Sequence, residues 1–539
     1  MQIPLKPRAF EAALAAILLL CLAVFAIGTI HWPLVGDATL IHYVAFLSDH
    51  GLQPYQDIGD VNMPGAYAID WTVMHLFGDG ALAWRLFDLL LLLIGGGAMV
   101  TITRSWFPGL FAASLFALAH GRDGIAQLGQ RDLSITVLLL LACAALFHAH
   151  RTPSPRAEIF VGLFAGIACT IKPTAIPFAL GLILLLALGE KRSGRNWQRP
   201  LLRATAGSLL PLVAVALWLT YHHLGRAFLA TLNGNVRYHA GVARHSLGYL
   251  LSHSLSPFLP LAIGSVLLLF LHRREEREEG QEPQAQWDTL VLSACTLLGL
   301  LSYCLQAKGY PYQRYPFLAF LLLLLANQFS AALERSRWER TLAAITLAVG
   351  VLVIAPTSTF KAISYDGSSD PFGTALQQDL IHLGGPALSG HVQCLDTFSG
   401  CIGTLYRMKL VQSTSMMYDE FLFGPESNGT IARNRALFWQ QLQQKPPEVF
   451  ILSEQLYPDG PDTFDKPLKW PELARYLHDN YMLFHEFNPT QPQNWGGRAT
   501  VPAGYRVYIT RDPITHPDTD LFEVTSLSNR PPSQNLSTP

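Results

Sequence analysis

Six aspartates (Asp37, Asp49, Asp57, Asp60, Asp70 and Asp79) fall within residues 31–84, together with four histidines and neither lysine nor arginine. A carboxylate that faces a substrate hydroxyl can take its proton and act as a general base. Asp37 follows Gly36 at the start of a stretch in which Leu40, Ile41, Val44 and Leu47 recur at helical spacing. That spacing predicts an amphipathic helix lying at a membrane face. It leaves Asp37 two readings: an N-cap whose carboxylate accepts the first free N–H groups, or a base at the mouth of a cavity. The next segment, from Pro54 to Gly65, is dense in turn formers. It reads as a structured surface loop or as a substrate-binding segment, with Asp57, Asp60 and Asn62 as its candidates.

Cations supply the complementary chemistry. Lys172, in Ile171-Lys172-Pro173, sits between two short apolar runs where the proline interrupts the helix. A lysine there faces protein or a water-filled cavity, or snorkels to head groups. Residues 308–316 (KGYPYQRYP) join two apolar runs and combine Lys308 and Arg314 with Tyr310, Tyr312 and Tyr315. An aromatic belt accounts for the tyrosines. The two cations suit a phosphate, which lysine binds as a point charge and arginine through its fork. Arg131-Asp132 reads as a local ion pair orienting a substrate group. Arg237 and Arg244, flanking Tyr238-His239, are candidates for the same phosphate role.

These residues need a scaffold, and the composition identifies it. The 539-residue chain is 50% hydrophobic and only 14% charged, with a mean hydropathy of +0.26. Soluble domains carry about 25% charged residues, and here the deficit is concentrated in long apolar runs, so a polytopic α-helical membrane protein is predicted. No basic block with interleaved aromatics occurs, which sets nucleic acid aside. The first apolar run, 12–30, follows Lys6 and Arg8 and is read as an uncleaved anchor with its N-terminus in the cytoplasm. Further runs at 81–103, 107–120, 132–149, 157–171, 174–189, 204–222, 248–271, 288–306, 316–333 and 341–358 make about eleven transmembrane helices. With this topology arginines and lysines gather in the cytoplasmic connections, as at Arg151, Arg156, Lys191, Arg192 and Arg195. The acidic loop after the first run then faces outward.

Residues 1–358 are therefore read as the membrane domain, 359–520 as a small α/β domain outside the membrane, and 521–539, rich in Ser, Pro and Asn, as a disordered tail. Within the second domain, helices are predicted at 433–445 and 471–480 and strands at 448–453 and 505–510. Cys394 and Cys401 lie in that domain, where an oxidising compartment would allow them to pair. The other five cysteines sit in apolar runs as small hydrophobes. No Cys/His spacing matches a zinc site. A divalent metal is left open, and no other cofactor is expected.

Taken together, the motifs resemble the GT-C glycosyltransferases that use polyprenyl-phosphate sugars, in particular the protein O-mannosyltransferase-like group (family 39) and the lipid A aminoarabinose transferases. An acidic residue after the first span (Asp37) matches, as do Gly51…Pro54-Tyr55…Asp57 leading to Asn62-Met63-Pro64, and Leu76-Phe77-Gly78. Arg85-Leu86, Gly129-Gln130-Arg131-Asp132, Thr170…Lys172-Pro173 and the 308–316 loop follow in order. The chain departs from the group at Ala38, where many members have Glu after the Asp, and at Gly65, where many have a second Pro. The resemblance implies a GT-C-like membrane domain with amphipathic helices in its first outer loop and a C-terminal periplasmic domain, in a bacterial-type inner membrane. It implies an inverting transfer of sugar from a polyprenyl-phosphate donor to a glycan, lipid or protein acceptor. Asp37 is the implied base, and Lys308, Arg314, Lys172 or Arg131 would stabilise the departing phosphate. Two other classes fit less well. A flippase for a lipid-linked sugar predicts repeat symmetry and broken helices near the midplane, and a non-catalytic assembly protein predicts that Asp37→Asn leaves activity intact.

Overall fold

The computed structural model describes residues 7–275, 283–364, 370–458, 464–489 and 503–511, with short pieces at 460–461, 493–494 and 499–500. The predicted tail falls outside these residues. Sixteen helices make up the first part. They are α1 (Pro7–Thr29), α2 (Asp37–Asp49), α3 (Pro64–Phe77), α4 (Ala81–Thr103), α5 (Trp106–Asp123), α6 (Arg131–Arg151), α7 (Pro155–Ile171) and α8 (Ile176–Arg192). There follow α9 (Gln198–Tyr221), the short α10 (Gly225–Thr231) and α11 (Arg237–Gly241), α12 (Leu247–Ser254), α13 (Leu259–Glu275), α14 (Pro283–Gln306), α15 (Tyr315–Leu333) and α16 (Arg337–Ser364). Two single turns matter below: Pro173–Ala175 before α8 and Pro311–Arg314 before α15.

All eleven predicted runs are helical, but the count of about eleven spans is not reproduced. Among the described residues, eight helices are long and apolar enough to cross a membrane, and nine if α12 and α13, bent by 81° at Leu255–Phe258, form one span. The two runs that drop out have plain reasons. α5 has 18 residues and ends in His120-Gly-Arg122-Asp123, and α7 has only 17. α7 nonetheless runs back beside α6, from Pro155 next to the end of α6 to Lys172, which meets Asp132 at the start of α6. α7 packs along α9 so closely that a Cβ on Gly162 would lie 1.7 Å from the Ala204 carbonyl, and one on Gly166 would lie 2.3 Å from that of Ser208. Small residues four apart let helix backbones meet in this way where water supplies no driving force. The contact fixes the end of α7, where Lys172 stands.

The first loop does contain two helices, α2 and α3, but α2 does not float on a surface. Every residue from Ala38 to Leu47 is buried, because α2 lies between α3 and a helix of the C-terminal region, Cys401–Met408. The apolar spacing at Leu40, Ile41, Val44 and Leu47 marks only one of its covered faces; the Tyr43 hydroxyl on another donates to the Leu410 carbonyl at 2.9 Å.

After α16 the chain forms a sheet-containing region. Strands Val392–Leu395, Val449–Ser453, Tyr505–Thr510 and Tyr481–Phe487 lie in that order across one sheet, the first pair parallel and the others antiparallel. The residues read as strands and helices at this level form them: Val449–Ser453 and Tyr505–Thr510 in the sheet, and helices Gly429–Gln444 and Pro471–Asn480. Cys394 and Cys401 are joined in a disulfide. Beside it Lys466, fully buried, donates to Asp419, to Ser453 Oγ at 3.0 Å and to the Leu395 and Gln455 carbonyls at 2.8 and 2.9 Å. A buried ammonium is tolerated only with such a full set of partners.

A second buried carboxylate clasps this region to the bundle. Asp60 is fully enclosed and accepts from the Tyr67 hydroxyl (2.6 Å), from Asn62 Nδ2 (2.8 Å) and from the Tyr418 hydroxyl across the interface. Asp60→Ala should lower the stability of the purified protein in detergent by about 3 kcal/mol, because two buried phenols lose their acceptor. Adding Tyr67→Phe and Tyr418→Phe should recover part of that loss, since removing both sides of a buried hydrogen bond is cheaper than removing one. Denaturant or thermal unfolding measures both. A triple variant less stable than Asp60→Ala would rule the clasp out.

Candidate functional site

The four helix ends that converge at one end of the bundle are the starts of α2, α6 and α15 and the end of α7. Gly36, with φ of 61°, turns the chain into α2 and leaves Asp37 as its first residue. Asp37 stands one place past the N-cap, which is Gly36, and its side-chain hydrogen bonds go to Arg131 and Tyr312 rather than to the N–H groups of α2. It is about one third exposed and points at Arg131 Nη2 and the Tyr312 hydroxyl, each 3.4 Å from its Oδ2. Of the two readings open to it, the cap is excluded.

Arg131 opens α6, where Gln130 precedes it in extended conformation. Its neighbour Asp132 is buried and takes two bonds from Lys172 Nζ, at 3.0 and 3.1 Å. Lys172 leaves α7 with its backbone extended because Pro173 cannot continue the helix. Its ammonium lies 5.8 Å over the Tyr312 ring, at cation–π range. Pro311 sets the single turn that presents Tyr312. Asp37, Arg131, Asp132, Lys172 and Tyr312 thus form one cluster of alternating charge, drawn from sequence positions up to 275 residues apart.

A second group adjoins it through the stacked rings of Tyr310 and Tyr312, 5.6 Å apart. Lys308 Nζ, nearly buried, meets His239 Nε2 at 2.7 Å and the Tyr457 hydroxyl at 3.0 Å, and Tyr310 reaches the same hydroxyl at 3.0 Å. His239 Nδ1 in turn faces Glu420 Oε1 at 2.7 Å. Burial pushes the Lys308 ammonium down to about 8, against the opposing pull of the Glu420 and Asp37 carboxylates.

Other predicted residues are placed elsewhere. Asp57 closes its own turn by accepting from the Gln53 N–H at 2.9 Å. Asp60 and Asn62 bond to each other in the clasp described above. Arg314 is buried and tied to Asp123 Oδ1 at 3.2 Å, to the His253 carbonyl at 3.0 Å and to that of Ser256, so its fork is occupied by protein. Tyr315 points into the bundle, where its hydroxyl meets His120 Nδ1 at 2.8 Å. Arg237 is exposed at the start of α11 and makes no contact with the cluster. Reading along the chain missed Glu420 and Tyr457, which no local motif marks and which only the folding of the C-terminal region brings in. It also passed over Asp88 and His120, although a charged or titratable residue within an apolar run is itself a signal.

Two hollows lie in the same part of the molecule, and neither is lined by Asp37, Arg131, Asp132, Lys172 or Tyr312. One of about 380 Å³ lies on the other side of the Asp37 turn, against Gly36, Thr39, Asp79, Phe398 and Tyr406. The other, about 1020 Å³ and mostly apolar, runs between α2, α3, α7 and α9, past Ala45, Tyr67, Trp71, Thr170, Pro211 and Trp218. Among the described residues no three His, Cys, Asp or Glu side chains are grouped to hold a metal ion.

Comparison with known proteins agrees with this architecture. Residues 61–221 match the family model described as dolichyl-phosphate-mannose-protein mannosyltransferase. No curated protein sequence matches the chain. Among solved structures, ArnT from Cupriavidus metallidurans bound to undecaprenyl phosphate superposes with a TM-score of 0.59 at 14% identity, covering 91% of this chain and 97% of that one. The same protein in the apo state gives 0.56 at 14% identity, covering 93% and 98%. The chain therefore has the fold of ArnT, a multi-pass helical bundle with a C-terminal sheet-containing region, and residues 61–221 within it are similar to the mannosyltransferase family model.

Proposed function

We propose that this protein is an inverting glycosyltransferase that moves a sugar from a polyprenyl-phosphate donor to an acceptor hydroxyl at the outer face of the inner membrane. The observation that carries the reading is the state of Asp37: a carboxylate spared from capping, one third exposed, and set against Arg131, Tyr312 and the adjoining Lys172 and Lys308. A base and several cations at one helix-bundle end are what such a transfer needs. Phosphate is a good leaving group, so the sugar's departure needs little acid. The acceptor hydroxyl needs its proton removed.

In the proposed step, the acceptor oxygen attacks the anomeric carbon from the face opposite the phosphate. The new C–O bond forms as the bond to the phosphate oxygen breaks, which inverts the anomeric centre. Asp37 receives the hydroxyl proton, and the electron pair of the broken bond stays on the phosphate. Lys308, Lys172 and Arg131 are the side chains available to balance that charge. Their present partners, His239, Asp132 and Asp37, hold them in place without donor. The apolar hollow between α2, α3, α7 and α9 has the character a prenyl chain needs, and at Thr170 it comes within two residues of Lys172 in the chain. Orientation follows from charge: α6 and α7 run from this site to the Arg151–Arg156 connection, which the positive-inside rule assigns to the cytoplasm. The acceptor is a glycan, lipid or protein, and membrane lipids surround the bundle.

Asp37→Asn should lower the rate of transfer by at least about a hundredfold, the size of a lost general base, while the protein still inserts and still carries prenyl-phosphate through purification. Transfer of radiolabelled sugar from donor, with mass spectrometry of the co-purified lipid, reads both; wild-type turnover by this variant would remove Asp37 as the base. Mass spectrometry of surface glycans and lipid-linked sugars with and without the protein identifies the sugar and acceptor.

Lys308 predicts a pH dependence. It binds phosphate as the charged form, which persists below about 8 and is lost above it. The kcat/KM for donor, which reports the free enzyme, should fall as pH rises through about 8. Lys308→Arg, which stays charged, should keep kcat/KM level through that range. A flat profile in the wild type would exclude Lys308 from donor binding.

A further inference from the structure

Three ionisable residues lie buried inside the bundle and take no part in the step just described: Arg85 and Asp88 on α4, and His120 in the last turn of α5. Burying them in an apolar span is unfavourable unless they do something there. Arg85 makes no hydrogen bond among the described residues, but the bonds of Asp88 and His120 show what those two do. Asp88 Oδ2 meets His120 Nε2 at 3.0 Å, and His120 Nδ1 meets the Tyr315 hydroxyl at 2.8 Å. The other carboxylate oxygen of Asp88, Oδ1, accepts the Gly129 N–H at 3.0 Å. A carboxylate accepts only, so the imidazole presents Nε2–H to Asp88. In its neutral form Nδ1 then accepts a hydrogen bond from the Tyr315 hydroxyl.

The two ends of this chain lead to the same place. Gly129 stands two residues before Arg131, and Tyr315 three residues after Tyr312. Arg131 and Tyr312 are the two side chains that contact Asp37. Gly129 has φ of +75°, and a Cβ there would lie 1.7 Å from the Trp84 indole nitrogen, so this turn is wedged against α4 and has no room for a side chain. One carboxylate thus anchors, through separate oxygens, the two segments that hold the base.

We propose that Asp88 is a positioning residue for Asp37, setting Arg131 through the Gly129 N–H and Tyr312 through the His120–Tyr315 pair. The proposal rests on the assignment of Asp37 as base. An Asn at this position that keeps its single oxygen on the Gly129 N–H turns its amide N–H₂ toward His120 Nε2, so the Nε2–H loses its acceptor and the Tyr315 arm is loosened. A shift of the order of 1 Å at a reacting group costs up to about a hundredfold in rate.

The test uses the full-length protein reconstituted in lipid with a polyprenyl-phosphate sugar donor. Asp88→Asn should lower kcat by about tenfold to a hundredfold and leave the donor KM within about twofold. In a Tyr312→Phe background the same substitution should lower kcat by less than about twofold, because coupled residues are non-additive where independent ones add. Tyr315→Phe, which removes a single hydroxyl and serves if Asp88→Asn does not fold, should give the same kcat loss with the same KM. Unchanged kcat in Tyr315→Phe, or full additivity of Asp88→Asn with Tyr312→Phe, would overturn the proposal. If the wild type transfers sugar and Asp37→Asn does not, while the Asp88 and Tyr315 variants match the wild type, this inference alone fails. If Asp37→Asn turns over normally, the assignment of the base has failed instead.

Discussion

Charge pairing at the ends of apolar helices is the constraint on which the rest of this structure depends. An unpaired ion in a low-dielectric bundle is expensive enough that nearly every buried charge here has a fixed partner. Asp132 holds Lys172, Asp123 holds Arg314 and Asp88 holds His120. At the opposite end of the bundle Glu158 in the first turn of α7 is paired with Arg203 on α9, and Glu190 in the last turn of α8 with Arg195. Two groups stand outside that pattern: Arg85, buried on α4 with no hydrogen-bond partner among the described residues, and Asp37. Asp37 touches its partners only at 3.4 Å and stays partly open to solvent, which leaves its lone pairs available to a proton. The pairing that stabilises the scaffold thereby sets Asp37 apart, which is why we propose it as the base.

The C-terminal region is built into this site. Its helix Cys401–Met408, tied by the disulfide to the strand Val392–Leu395, covers α2 from one side, and Tyr418 seals Asp60 in the first loop. Glu420 and Tyr457 then reach Lys308 directly or through His239. Without that cover α2 would expose apolar residues on several faces, and the lysine would be hydrated and titrate at its ordinary value. Burial by a second part of the chain is what moves it toward neutrality.

Much of this was legible along the chain, and the reasons are local. Runs of apolar residues must form helices in a bilayer, because every backbone polar group has to be satisfied within its own segment. Prolines 173 and 311 place the helix breaks, and those breaks put Lys172 and Tyr312 at helix ends. Asp37 stood out for a similar reason, as an acidic residue directly after the first span. The strand Val449–Ser453 and the helix Pro471–Asn480 carry their signals in their own composition. The cationic 308–316 loop was also visible, but its members could not be sorted. Lys308 and Arg314 look alike in sequence, and only the placement of Asp123 and the His253 carbonyl assigns Arg314 to the scaffold.

The sequence by itself therefore determined the class of the protein, the existence and approximate limits of its helices, and the short list of charges that chemistry would need. Those properties depend on hydropathy and on neighbours a few residues away. The tertiary structure alone decided which of those charges meet. It placed Tyr312 against Asp37 across 275 residues and brought Glu420 and Tyr457 to Lys308. It also covered α2 on all faces and buried Asp60 as a clasp. Pairing energies act over a few ångströms in space, and the packing of the whole chain, which no local pattern encodes, settles which residues come within that range.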